Sequence, residues 1–186
     1  MLSIIVPVYG QAEMTRECLE MVRANTTDYE LVIVDNGSDP VIEGATIRNE
    51  TNLGFPVAIN QGIRRAKGDV IVLLNNDVIV TPEWAEKLLY HLDTFSVVGP
   101  ITNSCAGMQR VTIPIYMDKR ELNIEVIKWA SIYSGQVQEV NWVIGFCMVF
   151  KKSLYNEFGP FDESLWPCSG EELDFCLRVR AAGHRI

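Results

Sequence analysis

The chain has 186 residues and a mass of 21.0 kDa, with 48% apolar and 22% charged residues, enough for one sizeable core and too apolar for a disordered or fibrous protein. Sixteen Lys and Arg against twenty-four Asp and Glu give a net charge of −8 without any basic run, which argues against nucleic acid or an anionic membrane as the main partner. The longest apolar run, residues 143–150, is eight residues long, well short of the ~20 that a membrane-spanning helix needs.

The opening MLSIIVPVYGQAE lacks a cationic leader and a small-residue cleavage site, and its β-branched residues followed by Pro read as a first core strand. A cytoplasmic location is expected on this reading. Cys18, Cys105, Cys147, Cys168 and Cys176 are odd in number, widely spaced and without a C-x-x-C pair, so they read as reduced, mostly buried thiols and not as a disulfide framework or zinc knuckle.

Residues 2–8, 30–35 and 69–74 are short β-branched runs that read as buried parallel strands. Between the first two, Met14, Cys18, Met21 and Val22 recur at helical spacing over residues 12–24. A short strand at 46–49 precedes a second helical stripe of Phe55, Ile59, Gly62, Ile63 and Ala66, with Pro56 suited to its first turn and Gly68 to its stop. Thr81-Pro82-Glu83-Trp84 reads as a capped helix start running to about Leu92, before a strand at 97–101. Alternating strands and helices predict a single α/β domain, a Rossmann-like, mostly parallel sheet flanked by helices. Residues 102–140, with Asn103, Gly107, Pro114 and a helix near 121–131, read as an insertion. A strand at 141–151, a helical turn led by Ser153 and a final helix at 171–182 closing at Gly183 complete the pattern. A further strand begins near Ile186, so a C-terminal continuation is expected.

In an open α/β sheet, ligands bind in the crevice outside the carboxyl ends of the strands. Neither G-x-G-x-x-G nor the P-loop motif occurs, which lowers dinucleotide oxidoreductases and P-loop kinases. Asp35, at a strand end, can accept from a base imide or ribose hydroxyl, or equally close an Asx-turn over Asn36-Gly37-Ser38. Asp77, behind Asn75 and Asn76, is either a hard oxygen ligand for Mg²⁺ or Mn²⁺ with substrate phosphates, or a turn cap. Glu171 and Glu172 open the last helix. One of them can serve as a general base, while Ser169-Gly170-Glu171-Glu172 also reads as a capping box with Asp174 paired to Arg178.

Taken together, SIIVPVY, ELVIVDNGSDP, NLGFPVAINQGIRRAKGDVIVLLNNDVIVTPEW, VGPITNS, GFCMVF, EFGPFDE and GEELDFCLRVRAAGHRI resemble the inverting family 2 glycosyltransferases of the GT-A fold over nearly the whole chain. The resemblance implies that Pro7, Tyr9 and Asp35 line a nucleoside pocket, with Asn52, Gly54 and Asn60 shaping the loop and helix beside it. It puts Asp77 at the last position of a D-x-D element that holds Mn²⁺ or Mg²⁺ on the diphosphate, with Asn75 in the place of the first Asp and Asn76 between them. Gly145 and Phe146 then border sugar and acceptor. Glu172 takes the catalytic-base position with Glu171 before it, and departs from the commoner pattern by being Glu instead of Asp. His184 stays outside the metal set and reads as a surface residue at a strand start.

The implied reaction is one inverting displacement that moves a sugar from a nucleoside-diphosphate donor, UDP- or dTDP-linked by preference, to a saccharide or other hydroxyl, in cell-surface polysaccharide or glycoconjugate synthesis. Residues 1–101 form the nucleotide-sugar half and residues 102–186 the acceptor and catalytic half. Peripheral membrane association through the acceptor, oligomeric state, sugar and linkage are left open. The competing reading is a GT-A-like nucleotide-binding or scaffold module of weak or no catalytic activity.

Overall fold

The structure, a computed structural model, describes residues 1–105, 107–112, 118–133, 135–167 and 169–186. Pro114 and Cys168, named above, lie outside the described residues. The elements in chain order are β1 (Leu2–Val8), α1 (Ala12–Asn25), β2 (Tyr29–Asn36), β3 (Ile47–Asn49), α2 (Phe55–Arg65), β4 (Val70–Leu74), α3 (Trp84–His91), β5 (Val97–Val98), α4 (Lys119–Tyr133), β6 (Cys147–Lys151), α5 (Lys152–Phe158) and α6 (Glu171–Ala181).

The six strands form one sheet in the order β3-β2-β1-β4-β6-β5. The pairs β1/β2, β1/β4 and β2/β3 are parallel, whereas β6 runs antiparallel to β4 and β5. Because β6 runs the other way, its amino end meets the carboxyl end of β4 and carries residues 145 and 146 into the crevice. Strand pleating sends Ile4, Val6 and Val8 to one face, with Cys18 and Val22 of α1 and Leu88 of α3. Ile5 points to the other, with Ile59 and Ile63 of α2 and Phe175 and Val179 of α6.

Several local expectations are corrected. Helix α1 buries Thr15, Cys18, Leu19 and Val22, a face rotated from the predicted stripe, and Met14 is left exposed. Gly68 does not stop α2; the helix closes at Ala66, and Gly68 serves close packing, since a methyl group there would meet the Met1 carbonyl at 2.4 Å. Thr81 and Pro82 precede α3 instead of opening it. Glu83 sits at φ 62°, and Trp84, buried with Nε1 donating to Thr26 Oγ1 at 2.9 Å, anchors the start of the helix.

The predicted strand 97–101 is cut to two residues, because Pro100 has no N–H to offer a ladder and its carbonyl accepts instead from Gln109 Nε2 at 2.7 Å. The predicted strand 141–151 shrinks to β6, whose partner β4 ends at Leu74. His184 is half-buried, Nδ1 2.8 Å from Ser96 Oγ with its ring edge-on to Phe158. Residues 185 and 186 accept main-chain bonds from Ser96 and Val140 without forming a strand.

Asn60 ties the two halves of the chain together. Fully buried in α2, it donates Nδ2 to the Phe161 carbonyl at 2.8 Å and to Glu163 Oε1 at 2.9 Å, and Oδ1 accepts from Phe161 N–H and Tyr155 O–H. Its side chain holds the 159–163 turn with its hydrogen bonds filled by protein groups, so whatever shaping it gives α2 and the neighbouring loop is exerted through these bonds. Stranding buried polar groups costs ~1–3 kcal/mol each, so Asn60→Ala is expected to lower unfolding free energy by at least ~2 kcal/mol in urea titration.

Candidate active site

The carboxyl ends of β1, β2 and β4 and the amino end of β6 converge on one crevice. Pro7 lies buried within β1, while Tyr9, just beyond it, is 59% exposed. Gly10 N–H donates to Ser38 Oγ at 2.9 Å, joining the loops after β1 and β2.

Asp35 is fully buried. Oδ1 accepts from Ser38 N–H and Oδ2 from Ile42 N–H, both at 2.9 Å, and Arg48 of β3 forms an ion pair with it. Burial alone would raise this carboxyl; the amides of Ile42 and Ser38, the Ser38 hydroxyl and Arg48 outweigh it and hold it below its ordinary value. The Asx-turn is therefore formed, and Asp35 shapes the crevice floor from beneath.

Asn36, which sequence reasoning passed over as a turn residue, organises the next loop. Its Nδ2 donates to Asn52 Oδ1 at 2.9 Å and to the Gly54 carbonyl at 3.1 Å, and its Oδ1 accepts from Asn49 Nδ2 and Leu53 N–H. Asn52 Oδ1 also accepts from Gly54 N–H. The signal was available in three asparagines at positions 36, 49 and 52, but only the pairing of β2 with β3 brings them together.

After β4 the chain makes a turn in which Asn75 N–H donates to the Phe146 carbonyl at 2.8 Å and Asn76 Nδ2 to Thr15 Oγ1 at 2.8 Å. Asp77 is exposed, and among the described residues no hydrogen bond or ion pair engages its carboxylate, so it does not cap its own turn. No cluster of three or more His, Cys, Asp or Glu suited to a metal occurs among the described residues. A divalent ion that shares its shell with substrate phosphates needs only one or two protein carboxylates, and Asp77 offers one such group.

Phe146 is 9% exposed, its ring in the core against the α1 side of the sheet, so its main chain faces the crevice while its side chain does not. Gly145 stands beside the last helix: a methyl group on it would lie 3.7 Å from the Phe55 ring and 3.9 Å from Glu172 Cβ. Through the Asn75–Phe146 bond and this contact, the Asp77 turn and the start of α6 share one mouth.

The expected capping box is absent. Ser169 and Gly170 are both left-handed, at φ 66° and 114°, which makes Gly170 the N-cap and leaves no side-chain cap bond. The predicted pair Asp174–Arg178 is present at 2.8 Å. Glu171 is buried and Glu172 half-exposed. Burial raises the Glu171 carboxyl, helped by the charge of Glu172 and opposed by main-chain amides at residues 170 and 171.

A raised folded-state value means that the folded chain holds this proton more tightly than the unfolded chain. That contribution is complete below the ordinary carboxyl range and fades as pH rises through the raised value. Glu171→Gln, neutral throughout, is expected to gain melting temperature relative to wild type as pH goes from about 4 to about 7, as scanning calorimetry at several pH values will show.

Residues 3–159 match the family model described as Glycosyl transferase family 2. The chain belongs to glycosyl transferase family 2. Among its family 2 relatives, an uncharacterized glycosyltransferase of Haemophilus influenzae is 30% identical over 96% of this chain and 62% of its own length. The mannosyltransferase PcManGT of Pyrobaculum calidifontis, solved with GDP-Man and Mn²⁺, superposes with a TM-score of 0.65 at 17% identity, covering 99% of this chain and 53% of that one. GalNAc-T7, solved with UDP, GalNAc and Mn²⁺, gives 0.73 at 14% identity over 100% of this chain and 41% of that one. The fold is the α/β GT-A fold. This family 2 chain spans less than two thirds of the length of each of these three proteins.

Proposed function

We propose that this chain carries the catalytic centre of a divalent-metal-dependent, inverting glycosyltransferase that moves a sugar from a nucleoside diphosphate to a hydroxyl acceptor. The observation that carries the reading is a chain of contacts: the turn that bears the exposed Asp77, whose carboxylate makes no hydrogen bond or ion pair among the described residues, is bonded through Asn75 to the Phe146 carbonyl, and the adjoining Gly145 lies against Glu172 at the start of α6. Structural neighbours solved with Mn²⁺ and with GDP-Man or UDP support its nucleotide and divalent-ion part.

In this reading Asp77 holds Mn²⁺ or Mg²⁺ together with the donor diphosphate. The bound ion would offset charge on the departing nucleotide. Tyr9 and the loops built on Asp35, Asn36, Asn52 and Gly54 form the nucleoside side of the crevice, while Gly145 leaves room for the sugar. Glu172, half-exposed where Glu171 is buried, takes the proton from the acceptor hydroxyl as its oxygen attacks the anomeric carbon, and the bond from that carbon to the diphosphate oxygen breaks on the opposite side. A single such displacement inverts the configuration.

Residues 1–101 then serve the donor and residues 102–186 the acceptor, with UDP- and dTDP-sugars the first donors to test and surface polysaccharide or glycoconjugate the acceptor class. Three cysteines buried as thiols, Cys18, Cys147 and Cys176, suit a reducing compartment, and we place the reaction in the cytoplasm. Among the described residues no helix is long and apolar enough to cross a membrane. The test is release of nucleoside diphosphate from a panel of UDP-, dTDP- and GDP-sugars with Mn²⁺ and with chelator, followed by NMR of the product's anomeric proton. Metal-dependent release with inverted configuration is expected; a retained configuration contradicts the mechanism, and release unaffected by chelator contradicts the role of Asp77.

A further inference from the structure

Trp166 follows the short 3₁₀ turn Glu163–Leu165 on the approach to α6. Its indole rests on the main chain of Gly54, where a methyl group would lie 2.7, 2.8 and 3.1 Å from three atoms of the five-membered ring. Only glycine, at φ 95°, provides this seat. Trp166 nevertheless stays 46% exposed, and its ring N–H has no hydrogen-bond partner among the described residues. Trp84 shows what a core tryptophan in this chain looks like: 8% exposed, with its N–H donated to Thr26. Trp166 thus has one ring face supported and much of the rest open.

Its place is as telling as its exposure. Gly54 leads directly into Phe55, the Phe55 ring borders Gly145, and Gly145 borders Glu172. The indole and the proposed base therefore flank the same few residues at the crevice mouth.

We propose that Trp166 is the stacking platform of the acceptor subsite, and that the acceptor presents a saccharide ring to it. The proposal rests on the transferase reading above. The C–H groups on a sugar's apolar face carry slight positive charge and suit the negative face of an indole, and the ring N–H, without a partner among the described residues, can donate to a sugar hydroxyl. A neutral saccharide also avoids the repulsion that the chain's net charge of −8 would impose on an anionic acceptor.

Saturation-transfer NMR with methyl α- and β-glycosides of glucose, galactose, mannose and rhamnose, added to the chain with Mn²⁺ and UDP, dTDP or GDP, tests this. At least one glycoside is expected to bind. Trp166→Ala should weaken it by about tenfold or more, Trp166→Phe should recover most of the loss, and nucleotide affinity should be unchanged in both. Glycoside binding indifferent to Trp166→Ala overturns the proposal, as does a chain that binds nucleotide but no glycoside. Equal loss of nucleotide and glycoside would assign the ring to the donor and overturn it too. A chain that binds no nucleotide contradicts the transferase reading itself, a separate outcome.

Discussion

Glu172→Gln is expected to lower sugar transfer by about 10²–10⁴-fold, the range a positioned general base supplies, with nucleotide affinity and melting temperature close to wild type. The amide keeps the shape of the side chain and removes its basicity. Glu172 forms no capping bond at α6, so the substitution costs the helix start no side-chain hydrogen bond. Single-turnover transfer, measured beside nucleotide binding, separates the two effects. Unchanged transfer would remove Glu172 from the mechanism and pass the role to Glu171, which would first have to open from its buried position. Glu172→Asp draws the carboxylate back by roughly an ångström, a displacement that can cost ~10²-fold where geometry is tight.

Asp77→Asn is the second large effect. Replacing a charged oxygen ligand with an amide removes the protein's anionic hold on a divalent ion, worth several kcal/mol of charge stabilisation. Metal-dependent nucleotide affinity should fall by ~10²-fold or more. Asp77 is exposed and its carboxylate makes no hydrogen bond or ion pair among the described residues, so the melting temperature should stay within a few degrees. A large fall in melting temperature in differential scanning fluorimetry would instead assign Asp77 to the turn.

Much of this could be read from residues close together in sequence. The runs 2–8, 30–35 and 69–74, the helix from Phe55 and the Asp174–Arg178 pair all follow from local periodicity and spacing, and each is present in the fold. What escaped local reading depends on conformation or on distant partners. The left-handed Glu83 moved the start of α3 past its apparent cap, and the left-handed Ser169 and Gly170 replaced the expected capping box of α6 while its first residue, Glu171, stayed where it was expected, because a side chain's capping preference does not reveal the φ of its neighbours. The antiparallel direction of β6 follows from its pairing with β4 across more than 70 residues of chain.

The candidate site divides in the same way. Asp77 is exposed and Glu172 partly so, with Gly145 beside Glu172, whereas Asp35 and Asn60 are fully buried and organise loops through their hydrogen bonds. Asn60 in particular is satisfied by residues about a hundred positions away, and no local pattern announces such partners. Asn36 and Trp166 were invisible for the complementary reason: their neighbours in space, Asn52 and Gly54, belong to another segment.

The central claim is that this crevice takes a nucleoside diphosphate through a divalent ion held at Asp77. Calorimetric titration of UDP, dTDP and GDP into the chain, with Mn²⁺ or Mg²⁺ and again with chelator, tests it most directly. The account predicts that at least one nucleotide binds in the presence of metal and that chelator, or Asp77→Asn, removes the binding. Binding that survives chelator unchanged, or no binding of any of the three, would contradict it.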